Sequence, residues 1–236
     1  GIGDEEHLKD LGIEIIHNLS GVGKNLQDHL EIYIQYKSKQ KETLYNLSTN
    51  LISQVAEGAK WFLFKKGKLS HSHLEFGGFV KSNNNYKHPN LQFHFFPSLV
   101  INHGLESPKF DAFQFHACPN RPKSRGYVKI SSKDFIEHPE IKFNYLQHED
   151  DLEQMRESVK IIQNICSQKS LSEYVDYELR PGKNISTQEE LDEIIRNTAE
   201  SAYHPSCSNK MGFDKDAVVD QDTKVHGIQN LRVIDA

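Results

Sequence analysis

The chain has 236 residues, of which 36% are hydrophobic and 26% are charged, a balance typical of an ordinary globular protein. Its formal net charge is −5 and its basic residues are scattered, which excludes the basic stripe that nucleic-acid binding needs. The longest apolar runs cover only a few residues, far short of the roughly 20 that span a bilayer, so the sequence predicts no transmembrane helix.

The first predicted elements surround a glycine-rich turn. The pattern over residues 8–16 predicts the end of a helix and then a short strand over 13–17. A tight turn is expected at residues 21–23. Residues 31–39 alternate between apolar and polar side chains, which predicts a half-buried strand with Glu31 on its more polar face.

The remaining elements combine helices with an antiparallel sheet. Residues 49–65 have helical spacing, with Gly67 as the expected stop. Strand-like runs without helical crossovers follow at 76–81, 91–96, 110–117, 126–131 and 141–145. Helices are predicted over 150–168 and 188–199, the second opened by a capping box of Thr187 and Glu190, and a last strand over 230–235. The sequence therefore predicts an α+β fold.

The cysteines and the chain ends bear on the cellular context. Cys118, Cys166 and Cys207 are odd in number and widely spaced, which favours a reducing compartment over a disulfide framework. The chain begins at Gly1 without a signal-peptide pattern, and it ends at Ala236 directly after an apolar run. We therefore expect an excised piece of a longer protein that is not secreted.

Residues 21–26 partly match a dinucleotide-binding motif, but Leu26 stands where the third glycine should allow close helix packing. The segment is either a phosphate cradle or a plain tight turn. If the protein uses a nucleotide cofactor, most of its binding domain is expected outside this chain.

The histidines offer two hypotheses from the residues alone. His71 and His73 would project to the same side of a strand with Glu75, but no further converging ligand is evident, so we predict no metal site. Cys118 and His116 are too isolated to indicate a thiol nucleophile. His204 follows a predicted helix in a proline-bounded turn, where it is either a general base or a structural histidine.

Three segments, taken together, are similar to a known enzyme family. Residues 21–29, 203–212 and 225–236, in that order, resemble the motifs of the glucose–methanol–choline (GMC) oxidoreductases. Four shorter segments most resemble the choline-oxidising members of that family, and these are residues 28–31, 76–79, 121–126 and 206–207.

The resemblance implies a two-domain flavoprotein with bound FAD. Residues 1–30 and 201–236 would be portions of an α/β FAD-binding domain, and residues 31–200 would be a substrate domain with an antiparallel sheet flanked by helices. The glycine motif that holds the ADP part of FAD lies outside this chain. The resemblance therefore implies the C-terminal half of the enzyme without its last stretch.

The resemblance also implies roles for individual residues. His204 matches the active-site histidine that assists removal of the alcohol proton while a hydride passes to the flavin, and His94 matches a histidine that orients the substrate. Glu31 matches a glutamate that faces a trimethylammonium group, which binds through charge and cation–π attraction. Asp235 and Ala236 match residues near the ribityl–pyrophosphate part of FAD. Candidate aromatic walls, which equally suit a plain core, are Tyr33, Phe93, Phe95 and Phe96.

The activity so implied is oxidation of choline to betaine aldehyde, a step in glycine betaine synthesis, with electrons passed to a respiratory chain or to oxygen. The implied location is cytoplasmic or peripheral at an inner membrane, which would be mitochondrial in a eukaryote. Two alternatives remain open. One is a family member that oxidises another primary alcohol, and the other is a stand-alone binding module without redox chemistry.

Overall fold

The computed structural model describes residues 1–70, 72–74, 76–106, 108–182 and 185–236. It confirms the predicted α+β class. The chain forms two compact units: unit 1 is Gly1–His29, Pro122–Asp151 and Ser201–Ala236, and unit 2 is Leu30–Arg121 and Leu152–Glu200. The sequence prediction placed residues 122–151 in the 31–200 domain, whereas they group with unit 1. The roles of these regions in flavin and substrate binding stay predictions.

The helices are α1 (Glu5–Asp10), α2 (Tyr45–Thr49), α3 (Leu51–Phe64), α4 (Glu149–Ser167), α5 (Lys169–Ser172) and α6 (Gln188–Thr198), with a 3-10 turn at Asn102–Gly104. The strands are β1 (Ile2–Gly3), β2 (His17–Asn18), β3 (Lys24–Leu26), β4 (Leu30–Ser38), β5 (Phe76–Val80), β6 (Leu91–Phe96), β7 (Ala112–Pro119), β8 (Gly126–Lys129), β9 (Glu140–Lys142), β10 (Val175–Arg180) and β11 (Glu200–Ser201). The strand predicted over 141–145 is β9, which begins one residue earlier and ends at Lys142.

Unit 2 is built on an antiparallel sheet with the strand order β10-β4-β7-β6-β5. β4 lies inside this sheet and is buried on both faces, since Ile34 is 0% exposed and its neighbour Gln35 is 5% exposed. The prediction of a half-buried strand is therefore wrong. The segment after β6 lies against the second face, where the Gln35 amide donates to the carbonyl of Val100 at 3.2 Å.

α4 packs on the face of the sheet that carries Tyr36. Tyr36 Oη and Gln163 Nε2 of α4 both donate to the Glu178 carboxylate, at 3.0 Å and 3.1 Å. Burial, with Cys166 and Glu178 beside it, raises the pKa of Tyr36, so the phenol stays a neutral donor. The predicted apolar stripe of α4 is buried at Leu152, Met155, Val159, Ile162 and Cys166.

α6 begins with the predicted capping box. Thr187 Oγ1 accepts from the Glu190 amide, and the Glu190 carboxylate accepts from the Thr187 amide, both at 3.2 Å. α6 is tied to α4 by a bidentate ion pair in which Arg156 donates to Asp192 at 2.5 Å and 2.7 Å. This pair lowers the pKa of Asp192.

α3 forms where the sequence predicts a helix, but it buries none of its residues, all of which are described. Its N-terminus is capped by Asn50, whose side chain accepts from the amides of Ile52 and Ser53 at 2.9 Å and 3.2 Å. It ends at Phe64 and is followed by the C-cap residue Lys65, which has a left-handed φ of 53°, so the predicted stop at Gly67 is wrong. Its exposed large apolar side chains are Leu51, Ile52, Val55, Trp61, Phe62, Leu63 and Phe64. In the described part of the chain, every helix is too short or too polar to cross a membrane.

Unit 1 contains the parallel pair β1-β2 and the antiparallel sheet β3-β8-β9. The strand predicted over 13–17 is wrong, because pairing begins only at His17, opposite Ile2. The strand predicted over 230–235 is also wrong. These residues, all described, lie in a local loop in which Val233 donates to the carbonyl of Thr223 at 3.0 Å. The core of this region is Leu19, Val218, Val219 and Val225.

The glycine-rich segment at 21–23 is a tight turn whose amides are already used. The amides of Val22, Gly23 and Lys24 donate to backbone carbonyls at 3.2, 2.8 and 3.0 Å. Their acceptors are Leu19, Ser208 and Gly21. A phosphate cradle needs such amides to point at the ligand, so the structure favours the plain turn over the cradle.

This turn predicts a difference between two glycine variants. Gly23 has a φ of +75°, and a Cβ there would lie 2.1 Å from the Val128 carbonyl oxygen. Gly12 has a φ of +67° with nothing within 4 Å of a Cβ. In the full-length protein that contains this chain, we expect Gly12→Ala to cost about 1–2 kcal/mol from strain alone. Gly23→Ala should cost more than about 3 kcal/mol in urea unfolding, and equal losses would contradict the clash.

Candidate active site

Glu31 lies on a face of the unit 2 sheet that also carries histidines from two neighbouring strands. The register pairs Tyr33 of β4 with His116 of β7, and His116 with His94 of β6. Paired residues project to the same side, and alternate residues of a strand share a face. The structure thus places the predicted residues Glu31 and His94 on one face, with the strand of His116 between their strands.

The Glu31 carboxylate is buried and hydrogen-bonded. The residue is 6% exposed, and its Oε1 lies 2.9 Å from Nδ1 of His116. Aromatic rings surround that imidazole, with the Tyr33 ring centroid at 4.5 Å and the Phe96 centroid at 6.5 Å. A carboxylate among aromatic rings is an arrangement that suits a cation unable to donate ordinary hydrogen bonds.

Tyr33 contributes a neutral phenol to this face. Burial raises its pKa, and the carboxylates of Glu31 and Glu200 raise it further. A phenolate here would add negative charge beside two carboxylates. Tyr33 is therefore a hydrogen-bond donor and an aromatic surface across the physiological pH range.

The predicted aromatic walls divide between the two faces of the sheet. Phe96 of β6 pairs with Gln114 and lies on the face of Glu31, as Tyr33 does. Phe93 and Phe95 occupy the alternate positions, so they project to the opposite face. As walls beside Glu31 these two predictions are wrong, and Phe93 is 5% exposed as part of the core.

In unit 1, the segment that carries His204 is held by the carboxylate of Asp28, which is 4% exposed. Oδ1 of Asp28 accepts the His204 amide at 3.0 Å, and Oδ2 accepts the hydroxyls of Tyr145 and Ser201 at 2.5 Å each. Burial and the bond to Asp28 raise the pKa of Tyr145, which keeps it a donor. These three hydrogen bonds to the Asp28 carboxylate hold the backbone of the turn after Ser201 in place.

The His204 side chain is exposed and contacts the imidazole of His29. Their Nδ1 atoms lie 3.2 Å apart and the rings are nearly perpendicular, at 82°. At this distance one nitrogen donates and the other accepts. When Nδ1 of His204 donates, its Nε2 carries the lone pair and can accept a proton from a substrate hydroxyl. Of the two possible directions of this bond, the one in which His204 donates to His29 leaves His204 in the tautomer that a general base needs.

Asp235 and Ala236 lie beside the same turn. The Ala236 carbonyl accepts from the Cys207 amide at 2.7 Å, which joins the predicted cofactor segment to the His204 segment. The Asp235 side chain is exposed and accepts the Ala236 amide at 2.7 Å. Because a carboxylate repels phosphate, these groups fit the hydroxyls of a ribityl chain better than a pyrophosphate.

Within the described residues, no group of three His, Cys, Asp or Glu side chains is arranged to hold a metal ion. The hypothesis for His71, His73 and Glu75 cannot be followed, since His71 and Glu75 lie outside the described residues. None of the three cysteines, all of which are described, forms a disulfide bond, and Cys118 and Cys166 are buried.

The sequence alone does not indicate which residues hold the predicted site residues Glu31 and His204 in place. In the sequence His116 is an isolated histidine, and no motif or spacing marks Gln114 or Tyr145. Asp28 directly precedes His29 in the glycine-turn motif, so its place in that motif was the available indication. The bond from Tyr145 to Asp28 spans 117 positions, which local pattern cannot reveal.

Comparison with known proteins identifies similar sequences along the whole chain. Residues 122–236 match a family model described as GMC oxidoreductase. The chain is 44% identical to an oxygen-dependent choline dehydrogenase of Acinetobacter baumannii (strain AYE) and 45% identical to one of Staphylococcus xylosus. The alignments cover 100% of this chain but 43% and 42% of those relatives. The chain thus spans less than half the length of these relatives.

Solved structures share the fold. A formate oxidase variant from Aspergillus oryzae matches with a TM-score of 0.90 at 23% identity, over 100% of this chain and 46% of that one. Pyridoxine 4-oxidase from Mesorbium loti matches with a TM-score of 0.82 at 24% identity, over 100% of this chain and 42% of that one.

The Asp28 cluster predicts a graded response to substitution in the full-length protein. Asp28→Asn replaces one acceptor oxygen by a donor nitrogen, and we expect a loss of about 2–3 kcal/mol in unfolding free energy. Tyr145→Phe removes one of the three bonds and should cost about 1 kcal/mol. Hydrogen exchange at residues 203–207 should accelerate more in Asp28→Asn. If the two variants lose equal stability, or if exchange is unchanged, Asp28 does not anchor the turn.

Proposed function

We propose that this chain, whose residues 122–236 match the GMC oxidoreductase family model, is part of an FAD-dependent member of that family that oxidises choline to betaine aldehyde. The names of the relatives that are 44% and 45% identical along the chain support choline as the substrate. These relatives are more than twice as long as the chain, so the proposal concerns the full-length protein.

The observation that carries the proposal is the buried Glu31 carboxylate. It shares a face with the phenol of Tyr33 and the ring of Phe96, and it is hydrogen-bonded to His116. An uncharged alcohol gains little from a buried carboxylate, whereas a quaternary ammonium gains charge attraction and aromatic contact. The site therefore favours a substrate that carries a permanent positive charge. His94, on the same face, would contact and orient that substrate.

His204 would act as the general base toward the substrate hydroxyl, through Nε2. Its Nδ1 is engaged by His29, and its backbone is fixed by Asp28. A positioned imidazole lowers the cost of the alkoxide that develops as the proton leaves.

FAD, when bound, supplies the acceptor for the hydride. Asp235 and Ala236 would hold its ribityl hydroxyls, a role supported by the exposed carboxylate of Asp235 and by the bond from Cys207 to Ala236. Most of the remaining contacts would come from parts of the protein outside this chain.

The electron acceptor and the location belong to the same proposal. Oxygen as an acceptor is supported by the printed names of the relatives, and a respiratory chain is the alternative that the family resemblance implies. We propose a cytoplasmic location or a peripheral one at an inner membrane. The free thiols are consistent with a reducing compartment.

The proposal predicts the behaviour of Glu31→Gln, which keeps the shape of the side chain and removes its charge. In the full-length enzyme, the KM for choline should rise about 30-fold or more, equivalent to roughly 2 kcal/mol, because a desolvated charge pair is lost. The KM for 3,3-dimethylbutan-1-ol, in which a carbon replaces the ammonium nitrogen, should change by less than about 3-fold.

Three outcomes would contradict the proposal. If the wild-type enzyme shows no preference for choline over the uncharged alcohol, or if Glu31→Gln leaves the choline KM unchanged, the substrate is another alcohol. If the full-length protein binds no flavin, the stand-alone binding module is correct. Bleaching of the flavin absorbance on addition of choline would show directly that choline reduces the flavin.

A further inference from the structure

The backbone of Val100 fixes the orientation of two buried glutamine amides. Its N–H donates to Oε1 of Gln114 at 2.8 Å, and its carbonyl accepts from Nε2 of Gln35 at 3.2 Å. A backbone N–H can only donate and a backbone carbonyl can only accept, so neither amide can be flipped. The bond from Gln35 Nε2 to Gln114 Oε1 at 2.9 Å agrees with both orientations.

The orientation of Gln114 determines which nitrogen of His116 carries a proton. The amide nitrogen of Gln114 lies 2.6 Å from Nε2 of His116, and an amide NH₂ only donates. Nε2 must therefore accept and carries no hydrogen. The proton of the neutral imidazole is on Nδ1, which donates to Oε1 of Glu31 at 2.9 Å.

This hydrogen-bond chain accommodates a neutral imidazole at position 116 and has no acceptor for a second imidazole proton. A second proton on Nε2 would face the N–H of Gln114, and Gln114 is 0% exposed, so water cannot take its place. The Glu31 carboxylate is therefore hydrogen-bonded without being neutralised by an imidazolium. Tyr33 beside it is also neutral, because its pKa is raised.

We propose that His116 is a positioning residue that holds Glu31 as an uncompensated anion, so that the cationic end of the substrate is its counter-charge. This rests on the proposed function of Glu31. A charged imidazolium at position 116 would form an ion pair with Glu31 and would compete with the substrate for the carboxylate. The Nδ1–H tautomer supplies the hydrogen bond without that competition.

The test compares His116→Phe with His116→Asn in the full-length enzyme. Both leave the Gln114 amide without its acceptor, but the Asn amide can place an N–H near the former Nδ1 and Phe cannot. The measured quantity is kcat/KM for choline divided by kcat/KM for 3,3-dimethylbutan-1-ol. We expect this ratio to fall at least about 10-fold in His116→Phe and to stay within about 3-fold of wild type in His116→Asn.

An equal fall for both substrates in His116→Phe would indicate a purely structural role and would overturn the proposal. If the wild-type enzyme itself does not prefer choline to 3,3-dimethylbutan-1-ol, the proposed function is wrong. This result differs from an equal fall in His116→Phe, so failure of the proposed function and failure of the role of His116 are distinguishable. A second measurement is the ¹⁵N spectrum of histidine-labelled wild-type enzyme at neutral pH, with the His116 signals assigned by their absence in His116→Asn. For His116 we expect one ¹⁵N signal from a protonated Nδ1 and one from an unprotonated Nε2. Signals from a protonated Nε2, as in the other tautomer or in an imidazolium, would overturn the proposal.

Discussion

The carboxylate of Glu31 lies in a sheet that is buried on both faces. Its need for hydrogen bonds in this place determines the side chains around it. An ionised group in such a place costs several kcal/mol unless it is hydrogen-bonded or paired. Glu31 meets this demand through His116, and His116 in turn requires Gln114 and Gln35. Hydrogen bonds therefore join the polar side chains on this face of β4 and β7 to one another. At such buried positions aliphatic side chains would otherwise be expected.

The same physical rule organises unit 1, with a different result. Asp28 is also buried, but both of its oxygens are engaged by protein donors from three residues. A carboxylate satisfied in this way stabilises backbone geometry, and here it fixes the turn that presents His204. Glu31 accepts from an uncharged imidazole and keeps its negative charge for another group. One carboxylate is structural and the other is suited to recognition because their donors differ in number and kind.

Much of this fold follows from local pattern, and the parts that do not follow depend on distant partners. Alternation predicted β4, and the capping box and apolar stripe predicted α6 and α4, because these signals lie within one element. Alternation could not show that Gln35 is as buried as Ile34, since the segment around Val100 covers it. The residues Glu31, His94 and His204 came from motifs. The bonds from His116 to Glu31 and from Tyr145 to Asp28 could not be predicted, because strand register and contacts over about a hundred positions are set only by the tertiary fold.

The peptide group of Val100 orients both glutamines, so the position of a proton in the site is set by backbone and not by a side chain. Every residue except proline offers the same N–H and C=O at this place. The side chain at position 100 is therefore free to vary during evolution without disturbing the hydrogen-bond chain. A change in the length of the loop between β6 and β7 would move the peptide itself, so selection is expected to act on the length of this loop more strongly than on the residue that occupies position 100.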